Sequence, residues 1–205
     1  MSITINYKIT LNQKNSINRV FFIDEKFNIF SLKKHILSSE YSFISDLIKA
    51  KDLKRSILGF DLSSKKKLIL VSLKKNISES QVENLGAKFF DLFKDNKISQ
   101  YEVVSDTLSS KQNTLIGHFF HGLNLKSYKF EKYKTKKIKN NFNIIITGKN
   151  KPSLRDQIKF KAIEEGTFYT RDLVSEPGNI LHPDEYAKRL SLLKKHGLKI
   201  NIYNE

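Results

Sequence analysis

"TRDLVSEPGNILHPDEYAKRL", residues 170–190, contains the end of one helix and the start of another. The first helix is predicted to end before Pro177, because proline cannot continue a helix. Pro183 then fits the first turn of a new helix, where its missing N–H has no cost. Asp184 and Glu185 follow it near the positive end of the helix dipole, which favours anions. The stretch therefore predicts a junction between two structural units.

The residues after the junction predict one helix and one strand. Residues 194–196 supply a cationic last turn, and Gly197 fits the position just after a helix. Leu198, Ile200 and Ile202 then alternate with polar residues, as in a strand. One helix and one strand cannot bury their apolar faces alone. Either the strand joins the preceding sheet, or the rest of a second domain is missing, which the polar linker and a change in charge favour.

Residues upstream of the junction alternate between strand and helix patterns, which predicts an α/β layer. Strands are predicted at 2–9, 19–23, 67–73, 101–104 and 142–147. Helices are predicted at 40–50, 79–95 and 111–127. In the helix at 79–95, Ser80 and Glu83 have the spacing of a capping box.

A polar linker separates this layer from the junction. Residues 148–153 read GKNKPS, which combines breaker residues with polar ones. Ser153 is predicted to cap a long helix together with Asp156. The expected apolar face of that helix consists of Leu154, Ile158, Ala162, Tyr169 and Leu173. We therefore predict an N-terminal domain at 1–150, a connecting helix at 151–174 and the start of a second, incomplete domain at 175–205.

Composition limits the class of protein. The chain has 205 residues, no Cys and a net charge of +16. Residues 1–150 hold 27 Lys and Arg against 13 Asp and Glu, while residues 151–205 hold 10 against 8. Such a field attracts nucleic acid, although dispersed lysines are also typical of solvated faces. Because neither a signal peptide nor a membrane span is evident, we expect a cytoplasmic protein that does not bind membranes.

The junction resembles the start of the catalytic domain in the leucyl (cytosol) aminopeptidase family, whose pattern is T/A-R-D-L-V-N-x-P-x-N-x-x-T-P. The matching residues are Thr170, Arg171, Asp172, Leu173, Val174, Pro177, Gly178, Asn179, Pro183, Tyr186 and Ala187. A second match is GHFFHGLNLKSYKFEKYKT at 117–135, which is similar to the family's GAxLxxYxFxxYKT segment. Ser175 and His182 depart from the family's Asn and Thr or Ser.

The resemblance implies both a fold and an activity. It implies a macro-like N-terminal domain with a mixed central sheet flanked by helices, then a long linker helix and the first helix and strand of a second α/β domain. The complete protein would be a homo-hexameric metallopeptidase that removes N-terminal residues from peptides with two divalent ions, Mn or Zn. The family's catalytic and metal-ligand segments, G-K-G-x-x-F-D-x-G-G and N-T-D-A-E-G-R, do not occur in these residues. We therefore assign no catalytic or metal-binding residue and expect this fragment to be inactive.

A basic segment supports an alternative function, a stand-alone α/β module that binds nucleic acid. Its lysines, interleaved with aromatic residues, are Lys132, Lys134, Lys136, Lys137 and Lys139. Some members of the family bind DNA through this region, but a solvated helix end is the competing interpretation.

Two further residue groups are given structural roles. His118 and His121 are expected on the polar side of their helix, without the further ligands that a metal needs. Structural roles at the domain boundary are expected for Arg171, Asp172, Pro177, Asn179 and Pro183.

Overall fold

The computed structural model describes residues 2–7, 18–50, 55–96, 99–108, 114–135 and 141–203. The chain forms two compact units, Met1–Glu164 and Glu165–Glu205. The sequence-derived domain limits at 150 and 174 remain predictions.

The first unit contains a six-stranded sheet in the order β1-β6-β5-β2-β4-β3. Its strands are β1 (Ser2–Tyr7), β2 (Asn18–Asp24), β3 (Ile57–Ser63), β4 (Lys66–Leu73), β5 (Gln100–Val104) and β6 (Asn141–Thr147). Every pairing is parallel except that of β3 with β4, so the sheet is mixed, as predicted. Five strands were predicted, although residues 8 and 9 of the first lie outside the described residues. The edge strand β3 was missed, because its ILGFDLS sequence contains residues that are rare in strands.

The described residues form five α-helices. They are α1 (Ser38–Ala50), α2 (Glu79–Phe93), α3 (Leu115–Ser127), α4 (Leu154–Ser175) and α5 (Pro183–Ser191). Together with the sheet, these helices confirm the predicted α/β fold class. Residues 111–113 of the predicted third helix lie outside the described residues.

The cap of α2 differs from the prediction. The Ser78 hydroxyl accepts a hydrogen bond from Gln81 N at 3.3 Å, and Ser78 N donates to Gln81 Oε1 at 3.0 Å. The predicted pair of Ser80 and Glu83 is wrong by two residues. Glutamine and glutamate serve equally at the third position of a capping box, so the residue types alone did not separate the two registers.

The sheet has an apolar core on each face, because successive strand residues point to opposite sides. Phe22 packs with α2 and α3 on one face, while Phe21 packs with Ile44 of α1 on the other. Phe89 lies at the centre of the first core and makes edge-to-face contacts with Tyr101, Phe119 and Phe142. Such aromatic contacts add stability to that gained from burial.

Two glycines allow α2 and α3 to pack in close contact. A Cβ at Gly86 would lie 1.9 Å from Phe119 O, and a Cβ at Gly122 would lie 1.9 Å from Glu83 O. Both distances are far below van der Waals contact. The helix crossing therefore requires glycine at both positions.

Helix α4 begins as predicted, but its buried face differs. Asp156 N donates to Ser153 Oγ at 3.1 Å, which confirms the cap. Leu154 and Ile158 of the predicted apolar face are 71% and 61% exposed, while Leu173 is buried. In the first unit Phe160 is instead the contact residue, with its ring against Gly117 of α3. The predicted apolar face was wrong because the apolar residues of α4 do not form a continuous stripe along the helix.

The second unit confirms the predicted helix start and corrects the predicted strand. Helix α5 begins at Pro183, and a 3₁₀ turn at Leu192–His196 ends at Gly197, whose φ is 83°. Residues 198–203 form no strand. A strand requires backbone pairing with a neighbour, and within the described residues this segment has none.

Candidate functional site

A cleft of about 580 Å³ lies at the carboxyl ends of β2 and β4. The chain leaves β2 towards α1 on one face of the sheet, and it leaves β4 towards α2 on the other. This divergence makes the position a topological switch point, where open α/β sheets commonly bind ligands. The lining residues are Phe22, Ile23, Asp24, Glu25, Lys26, Asn28, Phe30, Ser31, Leu73, Lys75 and Thr107.

The loop after β2 forms one wall of this cleft and is held by its own side chains. The Asp24 carboxylate accepts hydrogen bonds from Lys26 N at 3.0 Å and Asn28 N at 2.9 Å. Asn28 Oδ1 accepts another from Phe30 N. Phe27 is buried with a φ of 57°, a left-handed conformation that is unfavourable for a bulky residue. The core contact of Phe27 and the turn around Asp24 maintain this strain.

Hydrogen bonds join the cleft walls that come from different strands. Lys75 N, after β4, donates to Glu25 Oε2 at 3.2 Å. Thr107 Oγ1, after β5, accepts from Phe22 N at 3.0 Å and lies 2.9 Å from Val104 O. The cleft is therefore preformed, with both signs of charge at its rim. No histidine lines it among the described residues, so it lacks an imidazole base. The sequence reasoning missed the cleft, although the acidic turn after β2 was a usable signal.

The two histidines of α3 are not on a polar face, contrary to the prediction. His121 is buried, with Nδ1 2.9 Å from Glu164 Oε1. His118 Nδ1 lies 2.8 Å from Glu83 Oε1, and both rings contact Phe160. The prediction, which was based on the apolar pattern of α3, was wrong because both α2 and α4 cover this helix. Within the described residues, no group of three His, Asp or Glu side chains could hold a metal ion.

The junction residues lie where α4 ends and α5 begins. Arg171 and Asp172 are in the last turn of α4, while Pro177 and Asn179 lie in the intervening turn. The Pro177 carbonyl accepts from the amides of residues 180 and 181 at 2.9 Å, which closes that turn. His182 precedes α5 without capping it through its side chain. The assigned structural roles of Arg171, Asp172, Pro177, Asn179 and Pro183 stay predictions.

Arg189 connects the junction turn to α5, a role that the sequence reasoning missed. Its Nη1 donates to Glu176 Oε1 at 2.9 Å, and its Nε donates to Glu185 Oε1 at 2.9 Å. The bond from Arg189 holds the pKa of Glu185 below its usual value. The Tyr169 hydroxyl donates to the Arg189 carbonyl. These bonds fix α5 against the end of α4 and the turn that follows it.

The basic segment is described only in part. Lys132 and Lys134 are exposed, and the Lys132 ammonium lies 5.6 Å from the centre of the Tyr133 ring. Lys134 lies 3.9 Å from Glu131. Lys136, Lys137 and Lys139 lie outside the described residues. The predicted nucleic-acid contact therefore remains a prediction.

Among the residues that the structure describes, none of the helices has the length and apolar character needed to span a bilayer.

Comparisons with known proteins identify the relatives of this chain. No protein-family profile matches it. It is 28% identical over 215 residues to a probable cytosol aminopeptidase of Rickettsia typhi, covering 95% of this chain and 43% of that protein. A probable cytosol aminopeptidase of Phytoplasma australiense is 36% identical over 114 residues, which cover 54% of this chain and 23% of that protein. The chain thus spans less than half the length of these curated relatives.

Solved structures share the fold. A mutant of tomato leucine aminopeptidase matches with a TM-score of 0.68 and 18% identity, over 95% of this chain and 42% of that one. The bottromycin maturation enzyme BotP in complex with Mn matches with a TM-score of 0.64 and 14% identity, over 93% of this chain and 39% of that one. The resemblance to the leucyl (cytosol) aminopeptidase family that the junction motif predicted is confirmed by these similarities.

Proposed function

We propose that the chain is the N-terminal assembly and regulatory part of a leucyl aminopeptidase. The complete protein would be a cytoplasmic homo-hexamer that removes N-terminal amino acids from peptides, with two Mn or Zn ions. These ions would polarise the peptide carbonyl and activate a water molecule. The family's metal-ligand and catalytic segments do not occur in these residues, so we expect another part of the complete protein to carry the chemistry.

The second unit provides the observation that carries this proposal. Many of its large apolar side chains are exposed. These exposed side chains are Val174, Ile180, Tyr186, Leu192, Leu198, Ile202 and Tyr203. An apolar surface of this kind usually marks an interface with another part of a protein. The relatives are more than twice as long as the matched region, which is consistent with a peptidase body that covers these side chains.

The coding sequence after codon 205 tests the proposal directly. We expect it to encode the lysine-containing G-K-G-x-x-F-D-x-G-G segment and the acidic N-T-D-A-E-G-R segment. A stop codon at this point would contradict the proposal.

An assay tests the expected inactivity of these residues. The 205-residue chain should not hydrolyse leucine p-nitroanilide with added Mn²⁺, whereas the protein that includes the downstream segments should. Hydrolysis by the 205-residue chain at the rate of the longer protein would place the active site within these residues.

A stand-alone nucleic-acid-binding module remains the second candidate, because the excess positive charge lies in residues 1–150. Binding of this kind weakens steeply as salt concentration rises, since it depends on counterion release. An electrophoretic mobility shift of duplex DNA at low ionic strength would favour this candidate. The absence of a mobility shift would rule out this candidate.

A further inference from the structure

A second cleft lies in the first unit, where β1 meets α3 and the first half of α4. Its volume is about 440 Å³, which is sufficient for a small molecule. The lining residues are Ile3, Thr4, Ile5, Tyr7, Gly117, Phe120, His121, Asn124, Pro152, Gln157, Phe160, Lys161 and Glu164. The cleft is separate from the one at the carboxyl ends of β2 and β4, with which it shares no residue.

A buried histidine presents an unused hydrogen-bond acceptor here. The His121 side chain is 7% exposed, and its Nδ1 lies 2.9 Å from Glu164 Oε1. An ionised carboxylate can only accept, so in the neutral ring Nδ1 carries the proton and Nε2 is left as an acceptor. Within the described part of the chain, Nε2 has no hydrogen-bond partner. A buried acceptor without a partner is unfavourable, and a bound group that donates to it would remove the penalty.

The carboxylate that orients this histidine is itself fixed. Asn124 Nδ2 donates to Glu164 Oε2 at 3.0 Å, so each oxygen of Glu164 accepts a hydrogen bond. The histidine ring also packs against Phe160, with 5.0 Å between the ring centres. His121 is therefore held in one orientation before any ligand binds, which lowers the entropy cost of binding.

Tyr7 supplies the complementary donor. Burial, together with the nearby Glu164 carboxylate, raises the pKa of Tyr7 to about 12. The hydroxyl therefore stays protonated and can donate a hydrogen bond.

Part of the remaining wall is apolar and well supported, while Thr4, Gln157 and Lys161 also line the cleft. Ile3 and Ile5 of β1 pack against the main core, and Phe120 of α3 is buried. The Phe160 ring lies so close to α3 that a Cβ at Gly117 would be 2.6 Å from its Cε2 atom. These side chains form a fixed surface against which an aromatic or branched aliphatic body can pack.

We propose that this cleft binds a small uncharged molecule that has an apolar body and one hydroxyl or amide group. That group donates to His121 Nε2 and accepts from the Tyr7 hydroxyl, while the apolar body packs on Ile5 and Phe160. The site is independent of the aminopeptidase function proposed above, since it uses only residues of the first unit.

The test is a titration of the 205-residue chain with benzyl alcohol, followed through the histidine ring resonances in NMR spectra. We expect the His121 ring resonances to move and saturate, while those of His182 and His196, in the second unit, stay in place. Benzoate, which has a similar size but no hydrogen to donate to His121 Nε2, should bind at least about tenfold more weakly.

Two variants separate the proposed site from general apolar binding. Tyr7→Phe removes the donor and should weaken benzyl alcohol binding about tenfold, the effect of one lost hydrogen bond. Tyr133→Phe changes an exposed tyrosine that does not line the cleft, and it should leave the affinity unchanged. Ile3→Phe fills the cleft and should abolish binding. Should that variant not fold, the contrast between Tyr7→Phe and Tyr133→Phe still decides the question.

Three results would overturn the proposal. The first is an absence of any movement of the His121 resonances at saturating benzyl alcohol, which would mean that water alone satisfies Nε2. The second is equal affinity for benzoate and benzyl alcohol. The third is an unchanged affinity in Tyr7→Phe.

Discussion

The two units of the chain differ in how they are stabilised. In Met1–Glu164, both faces of the sheet bury contiguous sets of aliphatic and aromatic side chains. In Glu165–Glu205, Leu173 is the single buried hydrophobic residue among those described, and ion pairs around Arg189 join the elements. A few ion pairs contribute much less stability than a packed core. The first unit therefore has its own core, whereas the second leaves many of its large apolar side chains exposed.

The largest effect is expected from the core of the first unit. Phe89→Ala removes the ring at the centre of the aromatic cluster and should lower the free energy of unfolding by about 3–5 kcal/mol. Leu92→Ala, on the same helix but 58% exposed, should change it by less than about 0.5 kcal/mol. Urea unfolding followed by circular dichroism measures both. Equal losses would mean that the core is not centred on Phe89.

Two glycine substitutions, one in each unit, are expected to change the free energy of unfolding in opposite directions. Gly86→Ala should cost about 1–3 kcal/mol of unfolding free energy, because its Cβ would overlap Phe119 O. Gly166→Ala, on α4, has nothing within 4 Å of the added Cβ. It should stabilise the helix by up to about 1 kcal/mol, since alanine has the higher helix propensity. Thermal unfolding of the two variants provides the comparison, and a loss of stability in Gly166→Ala would contradict it.

A smaller effect is expected at the start of α2. Ser78→Ala should cost about 1 kcal/mol, because it removes the acceptor for Gln81 N. Ser80→Ala is the matched control, since Ser80 lies inside the helix and the sequence pattern had wrongly assigned it as the cap. Denaturant midpoints of the two variants measure the difference. A larger loss in Ser80→Ala would restore the register predicted from the sequence.

The smallest expected effect is a pH dependence of helix α5 in the second unit. The hydrogen bond from Arg189 lowers the pKa of Glu185 from its ordinary value of 4.5. The contribution of this hydrogen bond to stability is therefore complete above pH 4.5, and it is lost as the pH falls through the lowered pKa of Glu185. We expect NMR Cα shifts of Tyr186 and Ala187 to lose helical character at low pH.

Asp91 of α2 provides the comparison for this pH effect. Its pKa is also lowered, by a hydrogen bond from Lys126, but the core holds α2 in place. The Cα shifts of α2 should therefore stay helical over the same pH range. Glu185→Gln should remove the pH dependence of α5. An unchanged pH dependence in that variant would assign the effect to another group.

The sequence predicted those elements whose signals are local. Five strands and the five described α-helices were predicted from apolar periodicity together with capping, proline and glycine signals, and Pro183 and Gly197 marked the limits of the last helical segment correctly. These signals depend on steric and capping preferences of single residues, which the tertiary fold does not alter.

The errors arose where the tertiary fold determined the outcome. Strand β3 exists because β4 pairs with it, although its own residues favour a strand only weakly. His121 is buried because α4 supplies Glu164, 43 residues away in sequence. Residues 198–203 have a strand pattern but no neighbouring strand among the described residues. Both clefts likewise depend on segments that are distant in sequence.

The bulge in β3 has a consequence for association between molecules. The pairing of β3 with β4 shifts register between Asp61 and Ser63, and Lys67 forms an ion pair with Asp61 there. Bulges and charged side chains at a sheet border oppose the addition of strands from another chain. This border of the sheet is thereby protected against fibre-like aggregation at high protein concentration.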